Sequence, residues 1–273
     1  MHQTNENKSR IIIDAHAHIY PQKIADKATK TIGDFYGIPM QHIGMPEELI
    51  KSGEQIGVSK YLVCSTATKP EQVRSINQYI NTECIRHKQF VGFATMHPDM
   101  ADYIEELEFI DSCELRGIKL HPDFQKFNID DPSAIRMYRL IAKRGLPILF
   151  HTGDNRYDFS APKRLQRVLN EVPDLICIAA HFGGYQRWDE AHEYLKCKNV
   201  YFDTSSSLFQ LDKAEAVSLI RYFGYEKFMF GSDFPMWDHK EELARFDALD
   251  LTESQKELIL HENFEKLFPN EKE

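Results

Sequence analysis

The chain has 273 residues, 33 Lys+Arg against 42 Asp+Glu, a formal net charge of −9, 42% hydrophobic and 27% charged residues. This composition excludes disordered and coiled-coil classes, and the acidic balance argues against nucleic acid or an anionic membrane as partner, since both call for clustered Lys and Arg. By length the chain holds one or two domains, and a single α/β barrel of about 250 residues fits.

Residues 1–10 (MHQTNENKSR) read as a polar N-terminal tail without the apolar core of a secretory signal, and residues 11–273 are expected to form one domain. Strand-like runs follow in order: IIIDAH (11–16), KYLVCS (60–65), FVGFATM (90–96), RGIKLH (116–121), PILFHT (147–152), LICIAAH (175–181), VYFDTS (200–205) and KFMFGSD (227–233). Helix-like segments separate them, among them 46–57, 69–87, 131–145 and 212–224. Several open on Asp or Pro and close on Gly, as capping chemistry requires. Eight strands alternating with helices predict parallel βαβ units. The expected fold is therefore α/β, a single (β/α)8 TIM barrel, with a doubly wound open sheet as the alternative. The stretch from His18 to Lys60, which carries Phe35, Tyr36 and Met40, is expected as an elaborated loop over the barrel mouth. No apolar run approaches the roughly 20 residues that span a bilayer. The five Cys form no CxxC pair and are odd in number, so a reducing, cytoplasmic compartment is expected.

Chemistry concentrates at the strand ends. The first strand ends in Asp14-Ala15-His16-Ala17-His18, and residues two apart on a strand share a face, so His16 and His18 project together. Two such imidazoles at the carboxyl end of a barrel strand can chelate a divalent ion. Strand five ends in FHTG with His151, strand six in AHFGG with His181, and strand eight in FGSDFP with Asp233. Barrel enzymes place their catalytic groups at these points. Imidazole and carboxylate together suit zinc, with manganese or iron as alternates. An ion there lowers the pKa of its water from 15.7 to about 7. Asp233 can then take and return that water's proton, while His181 polarises a carbonyl or holds an oxyanion.

The motifs DAHAH, GIKLHP, FHTG, AHFGG and FGSDFP, in this order, resemble the amidohydrolase superfamily, and more narrowly its amidohydrolase-related branch. The resemblance covers residues 11 to about 268. It implies a metal-dependent (β/α)8 barrel in which His16, His18, His151 and Asp233 are metal ligands and His181 is a catalytic or second-metal histidine. The expected activity is hydrolysis of a small amide, lactone or ester by metal-activated water. The alternative is non-oxidative decarboxylation of an aromatic or unsaturated carboxylate, which the ligand set does not distinguish.

Alternation in GIKLH sends Lys119 into the barrel, where a bare ammonium is costly. It is expected to pair with Asp14, with Asp203 or with a substrate carboxylate. Carbamylation to bridge a second metal, as in binuclear members of the superfamily, and a Schiff-base role are the alternatives. The branch implied by the motifs favours one ion. His97 and His121 precede proline at strand ends and are candidates either to bind substrate or to cap turns. Arg156 and Tyr157 are candidates to grip a substrate carboxylate, against plain surface exposure. Asp203 is expected to orient a ligand histidine or cap a loop, with Asp14 beside the site in a similar supporting place. Trp237 is read as a pocket wall or as packing at the barrel rim. The other six histidines, His2, His42, His87, His192, His239 and His261, are read as surface or loop residues. A small-molecule substrate is the expected partner, and barrels of this kind are often homodimers.

Overall fold

The structure, a computed structural model, describes residues 10–197 and 199–269. The expected tail, apart from Arg10, and residues 270–273 lie outside the described residues, as does His2. Eight strands form one parallel sheet in sequence order: β1 (Ile12–His18), β2 (Val58–Cys64), β3 (Phe90–Thr95), β4 (Leu115–Leu120), β5 (Ile148–Phe150), β6 (Cys177–Ala179), β7 (Val200–Asp203) and β8 (Phe228–Met229). The ends of the sheet meet. Ala15 N–H donates to Phe230 O at 2.8 Å, His18 N–H to Phe234 O at 2.7 Å and Asp233 N–H to His16 O at 2.8 Å. The sheet thus closes into the expected (β/α)8 barrel.

Helices cover the outside, and alternation along the strands divides the core in two. Ile118, Leu120, Ile148 and Phe150 pack outward against helical residues such as Ile135, Tyr138 and Ile141. A smaller inner cluster holds Ile13, Leu62, Phe93, Leu149, Ile178 and Met229, joined by Phe264 and Phe268 from the C-terminal helical segment. Gly117 is required here, because a Cβ on it would lie 2.4 Å from the Phe93 ring. Lys119, two residues on, faces the same interior and is only 1% exposed.

The stretch between β1 and β2 is more ordered than a loop. It contains α1 (Gln22–Tyr36) and α2 (Pro46–Glu54). Proline opens α2, a position its fixed φ suits. No side chain caps the start of α1, which begins after Pro21, and Gly37 ends it with φ 66°. Without a capping residue and with only a narrow apolar stripe among Lys, Asp and Thr, α1 carries no start signal in sequence. Its place over the barrel mouth agrees with expectation.

Candidate metal centre

The site lies on the seam where β8 meets β1. A register irregularity between Asp14 and Ala17 interrupts the pairing of β1 with β2. Ile13 and Ala15 belong to the inner cluster before it, and His16 and His18 converge on one point beyond it. Bulges re-aim side chains in this way. His16 Nε2 and His18 Nε2 are 3.2 Å apart. Asp233 Oδ1 stands 3.2 Å from His18 Nε2 and 3.6 Å from His16 Nε2. Ligands about 2.0–2.2 Å from a shared ion lie about 3.0–3.5 Å from each other. The three atoms therefore fit one divalent cation.

Each of the three is held from behind. His16 Nδ1–H donates to Asp203 Oδ2 at 3.0 Å, which turns the Nε2 lone pair inward. His18 Nδ1 lies 3.6 Å from Cys64 Sγ. Asp233 Oδ2 accepts from Ser206 Oγ at 2.5 Å, and Ser206 Oγ accepts from Trp237 Nε1 at 2.9 Å. Asp14 ties the two strands together, since its Oδ1 accepts from both His16 N–H and Ser232 N–H. Asp233, Ser206 and His181 adopt φ of 58°, 47° and 61°, a region non-glycine residues seldom occupy. Such strain persists where surrounding bonds over-determine the backbone, as at functional sites.

His181 and His151 stand next to this triad. The His16 and His181 rings stack with centroids 5.3 Å apart. His181 Nδ1–H donates to Ser205 O at 3.1 Å, leaving Nε2 to face His151 Nδ1 at 3.0 Å. Among the described residues His151 Nε2 has no hydrogen-bond partner, and it lies 3.9 Å from Asp123 Oδ2. Lys119 Nζ reaches His16 Nε2 at 3.0 Å. Among the described residues Lys119 forms no ion pair, so the expected pairing with Asp14 or Asp203 does not occur. Asp14 bonds to Ser232 and His239 instead, and Asp203 to His16, His181 and Ser205.

Burial sets the electrostatics. It pushes His16, His151, His121 and His181 below their ordinary value, aided by the positive charge of Lys119, so these imidazoles are neutral and able to ligate. Burial also lowers Lys119. For His18 burial is outweighed by Cys64 and Asp233, which raise it to about 9. Burial likewise opposes ionisation of Asp233, yet His16, His18 and His181 hold it well below the usual carboxylate range.

A cavity of about 730 Å³ opens over the triad, within the range of small-molecule sites. Phe35, Tyr36 and Met40 line it, as expected of the segment above the mouth. Tyr36 Oη and His121 Nε2 are 2.8 Å apart. His121 also caps the turn after β4, its Nδ1 accepting from Phe124 N–H at 3.3 Å, and its ring lines the cavity.

Other candidates stand elsewhere. Arg156 is not available for a substrate, because its guanidinium bonds twice to buried Asp154 and to the Phe35 carbonyl, and stacks 4.5 Å over the Phe35 ring. Tyr157 is 40% exposed and stacks on Phe35. His97 is a turn residue whose Nδ1 accepts from Asp99 N–H at 3.2 Å. Trp237 packs behind the site against Phe209 and Arg245. His239 is fully buried rather than at the surface, with Nε2 donating to Asp14 Oδ2 at 3.0 Å. Ser206, Asp123 and His239 were not singled out from sequence. The serine run after Asp203 was the only available sign of Ser206.

Comparison with known proteins agrees with this architecture. A family model described as amidohydrolase matches residues 13–269. Among solved structures, 5-carboxyvanillate decarboxylase from Sphingomonas paucimobilis is 15% identical with a TM-score of 0.73, over 95% of this chain and 99% of that one. A 2,6-dihydroxybenzoate decarboxylase from Rhizobium is 16% identical with a TM-score of 0.73, over 95% and 98% of the chains. A dihydroxybenzoic acid decarboxylase from a Polaromonas species, with bound manganese and 2-nitroresorcinol, is 12% identical with a TM-score of 0.73, over 95% and 97%. These likenesses show the shared fold. A search of curated proteins finds no match. Among the described residues no helix is long and apolar enough to cross a membrane.

Proposed function

The chain belongs to the amidohydrolase family, and on that premise we propose that it is a metal-dependent, non-oxidative decarboxylase of a small carboxylate. His16, His18 and Asp233 would hold one divalent ion, with His151 completing the set that the family motifs imply. Zinc and manganese both suit imidazole and carboxylate donors, and manganese is the ion bound in one of the similar decarboxylases. When bound, the ion supplies positive charge that binds and polarises an anionic substrate. We propose one ion rather than two, as the branch implied by the sequence motifs favours.

The observation that carries decarboxylation over hydrolysis is Lys119. It is a buried cation beside the triad with no carboxylate partner among the described residues, and leaving such a charge unpaired is costly. A substrate carboxylate would satisfy it. The structural neighbours act on aromatic acids, which points the same way.

The chain's own groups then have defined parts. Lys119 Nζ orients the carboxylate. The Nδ1–H of His181 is committed to the Ser205 carbonyl, so Nε2 is the nitrogen that can exchange a proton with a guest. Neutral His181 has a lone pair at Nε2, so it would first take up a proton there from the guest's own acidic hydroxyl or carboxyl group. Passing that proton to the substrate carbon that bears the carboxylate lets the carbon–carbon bond break. Its electron pair stays with the ring or alkene, and CO₂ leaves. Asp233, kept ionised, balances the positive charge. The roof of Phe35, Tyr36 and Met40 shields the carbon from water.

The five cysteines are free among the described residues, which suits a reducing cytoplasmic location, and a homodimer remains the form we propose. The test is CO₂ release from hydroxybenzoates by metal-loaded protein. Release that stops on chelation and returns with metal upholds the reading. Ester or lactone hydrolysis without CO₂ release from any acid returns the site to its hydrolase alternative.

A further inference from the structure

The cavity is much larger than its chemical end requires. A cavity of about 150 Å³ holds benzene, whereas this one measures about 730 Å³. One end is polar and is lined by His18, Asp233, Lys119 and His181. The other is a groove between α1 and the helix over Val73–Arg86, lined by Ile24, Ala28, Ile32 and Phe35 on one side and by Ile76 and Tyr79 on the other.

The α1 residues recur at intervals of four, four and three, one face of a helix. Over the 11 residue steps from Ile24 to Phe35 the stripe runs about 16 Å. It does not pack on the barrel: Ile24 is 48% exposed, while Ala25 and Thr29 form the buried face of α1. Phe35 at the end of the face packs against Phe124, Tyr157 and Arg156, but Ile24, Ala28 and Ile32 border the cavity. An apolar helix face continuous with a reaction site in this way is fitted to a guest. Closure of α1 onto the barrel is resisted, since Arg156 ties the Phe35 carbonyl to buried Asp154.

We propose that the substrate carries an extended apolar arm, an alkyl chain or a second ring, which lies in this groove while its head meets the triad. Only the identity of the head rests on the carboxylate reading above. The arm follows from the groove.

The experiment is calorimetric titration of the metal-loaded full chain with n-alkanoates from acetate to octanoate, and with n-alkanols of the same lengths. Affinity is expected to rise roughly two- to fourfold per added methylene. Ala28→Trp and Ile76→Trp, each at a partly exposed position, fill the groove and should flatten that rise while metal content and acetate binding hold. Affinity independent of length in the wild type overturns the proposal, as does a rise that both tryptophan variants keep. Loss of the rise together with a dimer-to-monomer shift assigns the face to a second copy and also overturns it. Alkanols binding as tightly as alkanoates, with the same rise, would leave the arm standing and remove the carboxylate reading.

Discussion

The Asp203 carboxylate accepts a hydrogen bond from His16 Nδ1 at 3.0 Å through one oxygen and from His181 N–H at 3.1 Å through the other. One residue at the end of β7 thereby fixes the histidine of β1 that faces the ion site and the turn that carries the histidine of β6. Partners of this kind set the tautomer and ring angle of a ligand.

Asp203→Asn should therefore weaken metal binding roughly 10- to 100-fold. The amide can offer N–H to Nδ1, which favours the wrong tautomer of His16. Competition against a chelator of known affinity measures the loss. An unchanged metal affinity would show that Asp203 serves only the loop.

Lys119→Met removes a buried cation and keeps most of the side-chain volume. Replacing buried charge by apolar atoms is often neutral or stabilising. Thermal unfolding of the metal-free variant should therefore occur at or above the wild-type temperature, while turnover of a carboxylate falls by at least about 100-fold. Thermal scans and CO₂ release read the two effects separately. A variant that turns over normally removes Lys119 from substrate binding.

Arg156→Ala should loosen α1 and leave the barrel intact. The lost bonds to Asp154 and to the Phe35 carbonyl are charge-assisted, worth about 1–3 kcal/mol. Amide exchange over residues 24–36 should quicken with little change in β1 to β8. Equal protection of α1 in both proteins would contradict the latch.

Glu242 gives a pH dependence of stability. Burial, with a smaller push from the charges of Asp233 and Asp14, raises its carboxyl from 4.5 to about 8 against the pull of Arg245. The native state keeps the proton while the unfolded chain releases it. Its stabilising contribution is therefore whole below pH 4.5 and is lost as pH rises through about 8. Glu242→Gln should flatten the stability profile over that window by at most about 1.4 kcal/mol per pH unit. Urea unfolding across the window, on both proteins, provides the comparison.

Much of the architecture was legible because a buried parallel strand is a short apolar run between turn residues. All eight runs became strands, and β3 over Phe90–Thr95 lies within one residue of expectation. The convergence of His16 and His18 followed from the period of two, and Lys119 from the alternation around Ile118 and Leu120. What sequence did not show were relationships across strands. The offset near Ala15 depends on pairing with β2. Arg156 looked free because its partners are a loop carboxylate two residues away and a carbonyl 121 positions distant. His239 looked like a surface residue because it opens a helix, yet that opening abuts Asp14. Helix α1 lacked a cap and a broad apolar face, since its stripe borders the cavity rather than the core.

The central claim is that one divalent ion sits on the β8–β1 seam. Metal content per chain, measured by elemental analysis on wild type and on His16→Ala, His18→Ala and Asp233→Ala, tests it most directly. The account predicts one ion per wild-type chain and near none in each variant, with circular dichroism unchanged in shape. Wild-type metal content retained in all three folded variants would contradict it.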